Sequence, residues 1–140
     1  MLEIKPLASQ FSVSPQILLD DLSVIAELGY KSIINNRPDG EASDQPDNHK
    51  LQKKCQELGL EYQYMPVIPG NITTQNVQDM RDAISKMPKP ILAFCRTGTR
   101  SCLLWSGSAE DNITLAQRIE KAGTQGYLID INQITSLVNG

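Results

Sequence analysis

Ile91-Leu92-Ala93-Phe94-Cys95-Arg96-Thr97-Gly98-Thr99-Arg100-Ser101 runs from an apolar segment through a cysteine into a polar, arginine-bearing turn. Four apolar residues follow the breakers Pro88 and Pro90, as in a short central strand, and Ser101 opens a run (Cys102, Leu103, Leu104, Trp105) that suits a helix. Cys95 therefore stands where a strand ends, ahead of a tight loop and a helix start. Backbone N–H groups of such a loop point inward, and with the positive end of the helix dipole they make a cradle for an anion. Gly98 lets the backbone turn. The same field, with Arg96 and Arg100, favours a thiolate, so Cys95 is expected to act as a nucleophile at neutral pH. A cysteine closing an apolar strand is otherwise a small buried hydrophobe. Against that stand the two arginines, one glycine and three hydroxyl residues in the six positions after Cys95.

At 140 residues the chain has the length of one domain, taken here as residues 1–140. With 40% hydrophobic and 21% charged residues it reads as an ordinary folded protein. A net charge of −3 argues against nucleic acid and against an anionic membrane surface, so a substrate anion must be drawn in locally by the loop. No apolar run approaches a membrane span and the first residues lack a signal-peptide pattern; a cytoplasmic location is expected. Three cysteines (Cys55, Cys95, Cys102) and one histidine (His49) make neither a disulfide framework nor a zinc site, so no metal and no cofactor is expected.

Around the central strand, helical and extended patterns alternate. Phe11-Ser12-Val13 reads as a strand, followed by a helix capped at Ser14-Pro15 that runs to Gly29. Ser32-Ile33-Ile34 is a second strand, ending in the polar loop Asn35-Asn36-Arg37-Pro38-Asp39-Gly40-Glu41. Residues 42–48 read as mobile; Leu51, Cys55 and Leu58 then mark a helix closed by Gly59. Glu61 to Val67 alternates weakly as a strand, Pro69-Gly70 is a turn, and Asn71 or Thr73 caps the next helix. Beyond the central strand come a linker from Ser106 to Asn112, a helix from Ile113 to Ala122 ended by Gly123, and a stretch from Tyr127 to Val138 that suits either a last strand or a last helix and is taken as a short helical tail. This order predicts an α/β domain with a small, mostly parallel sheet and helices on both faces. In such sheets functional loops gather at the carboxyl ends of strands, which makes residues 35–41 the second candidate for the site.

The loop 35–41, Pro66-Val67 and the Cys95 to Ser101 loop together resemble the phosphatase-like domain of the beta-lactamase hydrolase-like protein family, whose members are also described as sulfurtransferases. The resemblance runs from about Leu7 to Gly123 and implies a scaffold similar to dual-specificity phosphatases. It also implies a possible partner, a separate metallo-beta-lactamase-like enzyme acting on persulfides, a domain that some members carry on the same chain and that these 140 residues are not expected to include.

Two chemistries compete for one loop. Cysteine phosphatases place five residues between cysteine and arginine, with a histidine before the cysteine; here Phe94 stands before Cys95 and Arg100 follows after four residues. Rhodanese-type sulfurtransferases carry the shorter loop, better sized for the terminal sulfur of a persulfide. Ester cleavage also needs a carboxylic acid to protonate its leaving group, and Pro66 to Asn71 offers none. Asp39 is the tentative acid. Sulfur transfer needs no such acid. The primary expectation is thus a persulfide-forming sulfurtransferase using Cys95, acting on a small anionic or sulfane-sulfur substrate. Its alternatives are a phosphatase with a phosphocysteine intermediate and a non-catalytic anion binder. Arg100 is expected over the anion, with Arg96, Thr97, Gly98, Thr99 and Ser101 forming the cradle and Arg37 and Glu41 behind it, paired or aimed at the pocket. Cys102 is read as core, with resolution of an oxidised Cys95 as its other use.

Overall fold

The chain was analysed as a computed structural model that describes residues 2–108 and 113–139. Its sheet has five strands: β1 (Lys5–Ala8), β2 (Phe11–Ser14), β3 (Ser32–Asn35), β4 (Glu61–Tyr64) and β5 (Ile91–Phe94) in the order β1-β2-β5-β3-β4. Only β1 runs antiparallel, folding back onto β2. The other four are parallel, and their register sets Ser14, Phe94, Asn35 and Tyr64 side by side at one carboxyl edge. β5 is the middle strand, so the segment after Phe94 leaves from the centre of that edge.

Alternation along the strands builds two cores. Ile91, Ala93, Ile34 and Val13 face one layer, where they meet α3 (Thr74–Lys86), α4 (Thr99–Ser108) and α5 (Leu115–Thr124) through Val77, Met80, Cys102, Leu104, Trp105 and Ala122. Leu92, Phe94 and Ile33 face the other, against Leu22 and Ile25 of α1 (Asp21–Glu27) and Leu51 and Cys55 of α2 (Asn48–Leu58). Trp105 is a core residue, stacked on Phe11 with ring centroids 6.2 Å apart. α6 (Ile131–Asn139) is the helical tail expected from the sequence. Among the described residues no helix is long and apolar enough to cross a membrane.

Several boundaries differ from the sequence reading. The helix after β2 starts at Asp21, not at Pro15, because Gln16 N–H donates to the Arg96 carbonyl (3.2 Å) and Leu18 N–H to Asp21 Oδ2 (2.8 Å); the intervening chain braces the Cys95 loop. α4 begins at Thr99, its first bond being Cys102 N–H to the Gly98 carbonyl, 2.9 Å. It also runs on through Ser106–Ser108, read as linker, where the Ser106 and Ser108 hydroxyls donate back to the Cys102 and Leu104 carbonyls. The rest of that linker, residues 109–112, lies outside the described residues. Gly123 falls inside α5, and the left-handed residue after it is Gly126 (φ 92°). β4 stops at Tyr64, although Met65 and Val67 N–H groups still bond the Asn35 and Asn36 carbonyls. Residues 42–48 are cross-tied: the Gln45 amide accepts from Glu41 and Ala42 N–H groups and donates to the Pro38 carbonyl.

Candidate active site

Cys95 is buried at the end of β5, and its Sγ accepts a hydrogen bond from Gly98 N–H at 3.1 Å. The loop has thus curled back over the sulfur, aiming a backbone dipole where negative charge would sit. Gly98 makes this curl possible twice over. Its φ is 94°, and any Cβ there would overlap the Tyr127 hydroxyl. That hydroxyl donates to the Thr97 carbonyl at 3.0 Å, holding the outer arc of the loop from a residue distant in sequence. Thr97 and Thr99 share a hydroxyl hydrogen bond of 2.9 Å. The loop's root is held by Ser101 Oγ donating to Asn36 Oδ1 (2.8 Å), while Asn36 Nδ2 donates to the Met65 carbonyl (2.9 Å).

Arg100 is buried in the first turn of α4. Nη1 donates to Glu41 Oε2 and to the Val67 carbonyl, and Nη2 donates to Glu41 Oε1, each at 2.9 Å. These three bonds use the end of the guanidinium. Nε–H and the second Nη2 hydrogen have no protein partner among the described residues, which leaves one edge of the planar fork for two oxygens of an anion. Glu41 also accepts from Arg37 Nε at 2.9 Å, and Arg37 Nη1 donates to Gln16 Oε1 at 3.0 Å. Arg100 foremost, then Arg37, hold the Glu41 carboxyl below its ordinary range, although burial pulls the other way. Of the two uses considered for Arg37, the structure shows the pairing with Glu41.

Asp39 is placed differently from an acid aimed into a pocket. It is exposed, its Oδ1 accepts from Asn48 N–H at 3.0 Å at the start of α2, and its own N–H donates to the Tyr64 hydroxyl at 2.9 Å. Arg96 is exposed beside the loop. Cys102 is fully buried in α4 and Cys55 in α2; burial pushes both thiols up to about 12. His49 is a surface residue. Among the described residues no cluster of three or more His, Cys, Asp or Glu side chains could hold a metal ion.

Sequence reasoning missed Tyr127, Gln16 and the Val67 carbonyl, all of which act at a distance on the two loops. Arg96, Thr97, Thr99 and Arg100 are among the residues that line an open cleft of about 340 Å³. The geometry is that of a thiol under a backbone N–H of its own loop, beside an arginine fork oriented by a carboxylate.

Comparison with known proteins agrees with this geometry. Residues 3–112 match the family described as "Beta-lactamase hydrolase-like protein, phosphatase-like domain". The chain is 35% identical over 105 residues to the beta-lactamase hydrolase-like protein of Xylella fastidiosa Temecula1, matching 75% of this chain but only 24% of that one. It spans about a quarter of the curated relatives it matches. The crystal structure of a candidate phosphatase from Neisseria meningitidis Z2491 superposes with a TM-score of 0.81 at 34% identity, covering 97% of this chain and 96% of that one. Kinase associated phosphatase, solved with its catalytic-site cysteine replaced by serine, shares the fold at a TM-score of 0.74 and 18% identity, covering 98% of this chain and 91% of that one.

Proposed function

Because the chain belongs to the family of phosphatase-like domains of beta-lactamase hydrolase-like proteins, we propose that it hydrolyses phosphate monoesters through a phosphocysteine on Cys95. The observation that carries this reading is the Gly98 N–H aimed at the Cys95 sulfur (3.1 Å), beside an Arg100 fork with one open edge. In the first step the Cys95 thiolate attacks phosphorus, the S–P bond forms, and the ester P–O bond breaks, its electron pair leaving on the ester oxygen. Arg100 and the loop N–H groups hold the equatorial oxygens as charge builds on them. In the second step water attacks phosphorus, the S–P bond breaks, and thiolate and inorganic phosphate are released. No carboxylic acid is assigned to the leaving group: Glu41 is ion-paired with Arg100, and Asp39 is tied to α2. The reaction is therefore suited to esters whose leaving group departs as a stable anion.

Purified protein with an aryl phosphate tests the proposal: phosphate release should depend on Cys95. Sulfur transfer is the second reading, favoured by the four-residue spacing from Cys95 to Arg100 and by the absence of an assigned acid. There the same thiolate would take a sulfane sulfur from thiosulfate, releasing sulfite, and pass it to a thiol. A cytoplasmic location, and a persulfide-handling partner in the sulfur-transfer case, belong to the proposal.

A further inference from the structure

We propose that the segment from Tyr127 to Gln133 is the substrate-selecting wall of this site, and that it takes an uncharged, apolar aryl group carried on the anion bound at Cys95. The inference rests on the phosphatase reading and names its substrate class. Besides Arg96, Thr97, Thr99 and Arg100, the cleft is lined by Ile72, Leu103, Leu128, Ile129 and Gln133 together with the Pro69-Gly70 turn. These further residues include no carboxylate and no lysine. A phosphosugar, a nucleotide or a polyphosphate would bring several hydroxyls or further charge against this further lining, in which Gln133 is the one polar side chain and is uncharged.

Leu128 is the residue that gives the wall its purpose. It is 95% exposed, although the residues on either side of it are anchored. Before it, Tyr127 is buried and bonds the Thr97 carbonyl; after it, Ile129 packs against the main core. The backbone is thus fixed to the anion loop itself, and the leucine is presented at the cleft instead of being turned inward. The absence of an assigned acid points the same way, because an aryl oxygen leaves as a stabilised anion and an alkyl oxygen does not. Of this lining, Leu128, Ile129 and Gln133 lie beyond residues 3–112, the part that matches the family, whereas Ile72, Leu103 and the Pro69-Gly70 turn lie within it.

Equilibrium binding to the Cys95→Ser protein tests the wall without requiring turnover. The probes are 1-naphthyl phosphate and phenyl phosphate, which differ in apolar area and not in charge. The expected result is that naphthyl phosphate binds about tenfold more tightly, and that Leu128→Ser, a surface change that leaves the core intact, brings the ratio close to one. Leu28→Ser, at another exposed leucine (61% exposed), keeps the tenfold ratio. Equal affinity for the two esters, or a ratio indifferent to Leu128→Ser, overturns the wall. Failure of the phosphatase reading looks different: the naphthyl preference persists, and the parent protein releases no phosphate from either ester.

Discussion

Glu41 grips the end of the Arg100 guanidinium with both carboxylate oxygens, at 2.9 Å each, across 59 residues of sequence. The pair joins the two loops that the parallel sheet brings to its carboxyl edge, and it fixes the direction of the open edge of the fork. Glu41→Gln should leave two guanidiniums, Arg37 and Arg100, facing each other with their side chains only 6% and 10% exposed. Loss of a buried pair costs about 3–5 kcal/mol and an exposed one about 0–1. With the Glu41 side chain 23% exposed, an intermediate loss of about 1–3 kcal/mol is expected in urea denaturation. Turnover should fall further than folding, because Arg100 loses its orientation; a variant with the parent's rate would show that Arg100 needs no such guide.

The same pair makes the site acid-labile. Because the folded carboxyl titrates below its unfolded value of 4.5, its contribution to stability is present above that pH and is lost as pH falls through the folded value. Denaturation midpoints followed downward from pH 6 should drop more steeply for the parent than for Glu41→Gln. Parallel curves would mean that the pair contributes nothing to the acid limb.

Gly98→Ala should cost at least about 1–2 kcal/mol from the positive φ alone, with the overlap on Tyr127 added to it. Tyr127→Phe by itself removes one hydrogen bond and should cost about 1 kcal/mol. Combined, the two should cost less than their sum, since the phenylalanine ring vacates the hydroxyl's place. Strict additivity in denaturation would mean that the tyrosine and the loop are not in contact in solution.

Asp39→Asn preserves an oxygen acceptor for Asn48 N–H and should leave aryl phosphate hydrolysis within about twofold, whereas Asp39→Ala should cost about 0.5–1 kcal/mol of stability. A collapse of the rate in Asp39→Asn, at unchanged stability, would make Asp39 the acid after all.

Much of this architecture was legible in the chain, and its gaps have physical causes. Ile91 to Phe94 stood out as a buried strand because every residue is apolar and prolines precede it. The Cys95 loop stood out because its residue types serve one kind of chemistry. β1 went unread: Lys5-Pro6-Leu7-Ala8 has no strand pattern, and its place comes from pairing with β2 at an edge that tolerates proline. The late start of α1 was hidden because Gln16 bonds Arg96, a contact 80 residues away in the chain, which no local cap signal reveals. Glu41 was suspected as a partner of Arg37, yet its hold on Arg100 needed the register that brings β3 beside β5. Tyr127 left no trace at all, since its role is set by where α5 ends.

Cys102→Ala should retain single-turnover chemistry. Its thiol, pushed up to about 12 by burial, stays protonated at neutral pH and sits in the core. Complete loss of reaction in a folded variant would instead require a two-cysteine redox cycle.

The most direct measurement is the intact mass of the protein quenched in acid during turnover of an aryl phosphate. A transient phosphoryl increment on Cys95, absent together with all turnover in Cys95→Ser, is the expected result. Turnover surviving in Cys95→Ser contradicts the account, as does a chain that never carries phosphate but gains one sulfur from thiosulfate at Cys95.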